Sequence, residues 1–397
     1  MRSPVYCLSL LAALPFVATQ APAAEVTVGT SAELRAAAAA AVPGTTILLR
    51  PGVYEGDVWL TGLVGEARAH ITIRAADPND RPRFVGGGEG LHVSEAAYLT
   101  LADIEISGAS GNGLNIDDGG KHDAPAHDIR LMRLYVSDIG PHGNRDGIKL
   151  SGVDHFFVWD CLVERWGDGG SAIDMVGCHW GEIEACTFRG GGMPDANGVQ
   201  MKGGSLDVTV HRCTFIDAGS RAVNIGGSTG LQFFRPKPQG YEAKDIIVED
   251  CAFVGGQAAV AFVGVDGAKV HHNTIYHPGR WATRILQETT AEGFVPCRNG
   301  VFRDNIIVFR SDQWAEGGVN IGPNTAPETF RFEGNLWFCE DRPEASAPSL
   351  PVPEGNGLVG VDPLLVDPEN GDFTLREGSP AEGKGGRWDQ EDVDVML

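Results

Sequence analysis

The chain has 397 residues, with 31 Lys and Arg against 53 Asp and Glu, and a formal charge of −22 at pH 7. That excess of negative charge argues against nucleic acid as a partner, and it would repel an acidic polymer if it were spread evenly. The 54 glycines, with many Val, Ile, Asn and Asp, suit short strands and tight turns better than a helical domain.

The first element is an apolar run from Val5 to Val17, preceded by Arg2, broken by Pro15 and followed by Ala21-Pro22-Ala23-Ala24. It is too short to span a bilayer, so residues 1–24 read as a cleaved secretory signal that places the mature chain in the periplasm or outside the cell. No later apolar run is long enough to span. Thr30-Ser31-Ala32-Glu33 fits a capping box ahead of the run Ala37 to Ala41, predicting a short helix that lids the open end of a solenoid. After Pro43-Gly44 come short β segments: Thr46 to Leu49, Ile71 to Arg74, and Tyr98 to Ile106.

A repeat then follows, anchored at Asp103, Arg133, Cys161, Cys186, Cys213, Cys251, Asn273, Asn305 and Asn335, with spacings of 30, 28, 25, 27, 38, 22, 32 and 30 residues. One variable-loop coil per repeat predicts an all-β fold, a right-handed parallel β-helix. It should span 25–340, with 341–397 as a loop-rich capping segment. Four anchors are cysteines, which fits an internal stack of small buried side chains. Cys297 with Cys339 is a weaker expectation of a disulfide.

Each repeat holds a second strand, such as Asp146-Gly-Ile-Lys-Leu, Ser171-Ala-Ile-Asp-Met and Asn197-Gly-Val-Gln-Met. Period-two alternation points Leu114, Ile148, Ile173, Val199, Val223 and Val260 inward. The residues after them form an outward column: Asn115, Lys149, Asp174, Gln200, Asn224, Ala261, Arg284 and Asn320. The preceding positions are small (Gly113, Gly147, Ala172, Gly198, Ala222 and Ala259), which predicts a shallow trough beside the column. Glycine required by turn geometry is the alternative.

The signal, the stretch "VPGTTILLRPGVYEG", the stacked coils and the closing "VDPLLVDPENGDFTLREGSPAEGKG" resemble secreted β-helix proteins of the pectate lyase superfamily. Within it the chain is most similar to the alginate lyase and chondroitinase B group. That resemblance implies a lysine base and an arginine on adjacent coils, with acidic residues holding calcium. The matching stretch "NGVQMKGGSLDVTVHRCTFIDAGSRAVNIGG" offers Lys202 and Arg221 for the first two roles. The group's arginine falls nearer Ile225, and its paired glutamates correspond to Val199 and Gln200.

Charge supports an acidic polysaccharide or oligosaccharide as the partner. The stretch from Lys202 to Arg310 carries 12 Lys and Arg against 10 Asp and Glu, so the middle coils are net positive within an acidic chain. β-Elimination on a uronate requires a cation at the C6 carboxylate and a base for the C5 proton. Lys202 is the candidate base, with Arg221 expected beside it. Lys149, Gln200, Asn224, Arg235, Arg280 and Arg284 are the candidate substrate contacts. Two insertions are expected to wall the site, one with Phe233, Phe234, Arg235, Lys237 and Tyr241, the other with Arg280, Trp281 and Arg284. Asp146, Asp174 and Asn197 are candidate calcium ligands, weighed against an ordinary Lys149–Asp174 salt bridge. A glycoside hydrolase using Asp117, Asp118, Asp146 or Asp174 stays open, as does a non-catalytic carbohydrate-binding or surface scaffold.

Overall fold

The computed structural model describes residues 24–190 and 195–386. The predicted signal lies outside them except for Ala24. The coils build three parallel sheets: sheet A of twelve strands from Glu25–Val28 to Arg331–Glu333, sheet B of twelve from Gly52–Glu55 to Leu358–Val359, and sheet C of ten from Val58–Thr61 to Val319–Ile321. The chain is a parallel β-helix, as its repeat predicts.

Alternation fills the interior. Leu114, Ile148, Ile173, Val199, Val223 and Val260 are all buried on sheet C, and each such side chain stabilises the fold by about 1.5–3 kcal/mol. From sheet B, Phe188, Phe215 and Phe253 stack with centroids 4.9 Å apart. At the N-terminal end the helix Ser31–Ala39 is capped by Thr30, which accepts from Glu33 N, and it buries Leu34 and Ala38 against the first coils.

Corners decide where strands end. The expected segment Tyr98 to Ile106 is two strands, Ala97–Ala102 and Glu105–Ser107, broken at Asp103, where φ is +58°. Arg133 sits at the same left-handed corner one coil later, so the inward stack passes through Ile104 and Leu134 rather than Asp103 and Arg133. The four cysteines continue that stack, free and buried, and Asn273, Asn305 and Asn335 complete it. Cys297 and Cys339 are likewise free, so the expected disulfide is absent.

The small residues of sheet C do not form a trough. A Cβ on Gly113 would fall 2.7 Å from Val136 Cγ1, and one on Gly147 would fall 2.5 Å from Val163 Cγ1. Ala172, Ala222 and Ala259 are buried in the same core. The chain turns from sheet B into sheet C here, so this position faces inward at a crowded corner.

The C-terminal segment does two jobs. Leu350 and Val352 pack on the exposed end of the core, whereas Leu365, Phe373 and Ala381 lie along the outer face of sheet B against Tyr276, Ile306 and Leu336.

Candidate functional site

Register on sheet C aligns every residue of the predicted outward column. Asn115 opposes Lys149, then come Asp174, Gln200, Asn224, Ala261, Arg284 and Asn320 in successive coils. Trp59 and His92 extend the column toward the N-terminus. Two residues further along each strand runs another outward column, Asp117, Ser151, Val176 and Lys202. Lys202 reaches back from it to the preceding coil.

The two columns meet at Asp174, which is 1% exposed. Lys149 Nζ forms a short contact with Asp174 Oδ2, and Lys202 Nζ lies 3.2 Å from Asp174 Oδ1. Lys149 is also 3.6 Å from Asp146 Oδ2, and Ser171 N donates to Asp146 Oδ1 at 2.8 Å. Burial alone would raise the Asp174 carboxyl, but the two ammonium groups hold it below its usual range. Burial likewise works against the Lys149 charge, yet Asp174 and Asp146 raise its pKa. Asp146 is pushed up to about 6, by burial first and then by the Asp174 charge.

Lys149 and Lys202 form the floor of an open cleft of about 470 Å³, with the carboxylates beneath them. Asp117, His122, Asn144 and Ser151 also line it, and Ser228, Thr229 and Phe233 form its far wall. That wall is the insertion after Arg221–Gly226, and it is fixed from below. Arg235 is buried, paired with Asp154 through a short contact, and donates from Nε to Gly177 O at 2.9 Å. Its guanidinium therefore serves as an anchor for the wall. Glu242, fully buried, accepts from Gly203 N at 2.9 Å and from Thr229 N at 3.0 Å, tying the turn after Lys202 to the same wall.

Arg221 is not beside Lys202. It opens its strand opposite Asn197, five residues before the position facing Lys202, or about 16 Å along the sheet. It pairs instead with Glu288 at 2.7 Å and with Asn224 Oδ1 at 3.2 Å. The cation that shares a carboxylate with Lys202 is Lys149. Trp281 and Arg284 are not on an insertion either: they belong to Trp281–Leu286, the sheet C strand of their coil, and Arg280 immediately precedes it. Gln200 and Asn224 are both covered, Gln200 accepting from Asn197 Nδ2 at 3.0 Å.

The proposed calcium ligands do not fit that ion. The space between Asp146 and Asp174 is filled by the Lys149 ammonium, and Asn197 turns toward Gln200. Calcium needs six to eight converging oxygens, which these three residues do not present. Of the hydrolase candidates, Asp117 is not free to serve as a general acid. Asp117 is taken by His92 Nε2 at 2.7 Å and Ser94 Oγ at 2.5 Å, and although burial works against its charge, these bonds hold its pKa low, unsuited to a general acid.

Residues 133–292 match the family model described as a right handed beta helix region. Among solved structures, an alginate lyase from Paenibacillus sp. str. FPU-7 superposes with a TM-score of 0.53 at 16% identity, covering 77% of this chain and 98% of its own. The chain shares its fold, a right-handed β-helix, with that lyase. XylC in complex with xylose gives a TM-score of 0.52 at 10% identity, over 86% of this chain and 87% of its own. Pectate lyase Pel9A gives 0.49 at 14% identity, over 75% and 78%. No curated protein matches the sequence. Among the described residues, no helix is long and apolar enough to cross a membrane.

His122, Asn144 and Ser151 were not singled out from the sequence. Ser151 was within reach, because it lies two residues beyond Lys149 and thus on the same face. His122 and Asn144 sit on loops whose course no periodicity specifies.

Proposed function

We propose that this β-helix is a secreted protein that cleaves an acidic, uronate-containing polysaccharide by β-elimination in the cleft floored by Lys149 and Lys202. The observation that carries the reading is the pair of partly exposed lysines sharing one buried carboxylate at the base of an open cleft. Two ammonium groups on Asp174 leave positive charge to face a ligand, and Asp146 adds less than a full negative charge near pH 6.

The roles divide by how firmly each lysine is held. Lys149 is committed to two carboxylates and stays a cation, suited to neutralising the C6 carboxylate of a uronate. Lys202 makes a single longer contact and is the amine assigned to take the C5 proton. The C5–H electrons then form the C4–C5 double bond as the C4–O bond breaks. The departing C4 oxygen takes up a proton from water, and Lys202 gives the C5 proton back to solvent. Ser151 and Asn144 are placed to hydrogen-bond sugar hydroxyls.

The test is ultraviolet absorbance of the unsaturated product during incubation with alginate, pectate and glycosaminoglycans, with and without chelator. Absorbance should rise on one of these polymers and persist in chelator. It should fall by at least about 100-fold in Lys202→Ala, the scale of a lost general base. Absence of product from every polymer, or full activity in Lys202→Ala, would overturn the assignment.

A further inference from the structure

Sheet C carries a second cationic surface beyond the cleft. Arg280 and Arg284 place their guanidinium carbons 4.3 and 4.4 Å from the Trp281 ring centroid. Arg221 lies two coils earlier, and between the two arginines the intervening coil places Ala258 and Ala261. Arg221 and Arg284 therefore approach each other over a floor of alanines. Among the described residues neither Arg280 nor Arg284 forms a salt bridge, whereas Arg221 pairs with Glu288 at 2.7 Å and leaves its buried Nε without a hydrogen-bond acceptor. Arg284 donates from Nε to Asn320 Oδ1 at 3.0 Å, but its charge is poorly accommodated. Burial first, and then Arg221 and Arg280, push its pKa down to about 10, against the opposing charges of Glu288 and Glu316. A bound anion would relieve that repulsion, and guanidinium groups suit carboxylates geometrically.

We infer that Arg221 and Arg284 form a distal subsite for a carboxylate of the same acidic glycan whose reacting unit sits at Lys149 and Lys202, an inference that rests on the proposed function. The register sets the distance. Lys149 and Arg284 occupy one column five rungs apart, which at ~4.8 Å per rung is ~24 Å. A pyranose unit is about as long as one rung is tall, so only chains of roughly five or more units reach both ends. Between them the polymer crosses half-buried Asn197 and Arg221 rather than the covered Gln200 and Asn224. The subsite makes the protein discriminate by chain length as well as by charge.

The experiment titrates the chain with size-defined oligouronates from dimer to octamer, comparing wild type with Arg284→Ala and Arg284→Lys. Arg284→Ala should weaken binding of the hexamer and octamer by about tenfold, the loss expected for one charge-assisted contact, while leaving dimer and trimer unchanged. Arg284→Lys, which keeps the charge, should retain much of the length preference and shows whether the strand tolerates replacement. Equal weakening at every length, or no weakening at any, overturns the subsite. Lys202→Ala separates the two assignments: if it leaves turnover intact while the Arg284 effect on long chains persists, the cleft chemistry fails and the distal subsite stands. Normal loss of turnover in Lys202→Ala with no length effect in Arg284→Ala gives the reverse.

Discussion

Asp174 sets the character of the cleft because, among the described residues, it is the buried group that both lysines touch. Its neighbour Asp146 gives this cluster a pH signature. The Asp146 pKa rises from its usual carboxylate range to about 6 on folding, so the folded state binds the proton more tightly and stability is lost as pH rises from about 4 to 6. Asp146→Asn should flatten that decline, which for a shift of this size is on the order of 2–3 kcal/mol. Chemical denaturation at a series of pH values reads it directly, and an unchanged profile would remove Asp146 from the account. His92 works in a different window. Burial alone would depress it, but bonds to Asp117 and Glu89 raise its pKa to about 9, so its contribution is complete below pH 6.5 and fades toward pH 9. In His92→Gln that alkaline loss should disappear from the same denaturation series.

Within the coil, the polar stack at the corner between sheets A and B has a regular grammar. Cys251 N donates to Asn273 Oδ1, Asn273 N to Asn305 Oδ1, Asn305 N to Asn335 Oδ1 and Asn335 N to Glu354 Oε1, each at 3.0 Å. Asn305 also gives its amide to Val270 O at 3.2 Å and Asn335 Oδ1 at 2.9 Å, so Asn305→Ala strips several buried groups at once. The expected cost is about 2–4 kcal/mol, measured as a shift of the urea midpoint. The inward and outward columns of sheet C were legible because strand alternation has period two, and a residue such as Asp174 cannot change face without its whole strand slipping. The corners were less legible. Asp103 and Arg133 adopt the left-handed conformation that Asp160 and Asp250 adopt elsewhere, and an arginine gives no sequence hint of it. The repeat gives the coil of Arg221, but its distance from Lys202 depends on where along the strand each residue falls, and five positions along the strand separate them. Glu242 left no signal at all: its partners come from three separate loops.

Across the whole molecule, the core is one continuous stack, and its ends must be closed. At the C-terminal end Trp337 Nε1 donates to Glu354 Oε2 at 2.8 Å, and Leu350 and Val352 cover the last apolar side chains. A chain ending after residue 341 should therefore expose that end and self-associate, and light scattering together with size exclusion would show it. A truncated chain that stays monomeric and melts normally would assign no closing role to the segment.

The asparagine stack also gives the rod a direction. Every N–H in it depends on a side chain supplied by the coil that follows, and the sequence of dependence ends at Glu354. In the earlier half the same place is held by thiols, with Leu134 N and Cys161 N each 3.4 Å from the sulfur of the next coil. Sulfur is the weaker acceptor. Pulled by its two ends, the protein should behave as a rope spliced from two grades of fibre: coils should peel singly and at higher force in the asparagine half, and run out with less resistance in the cysteine half.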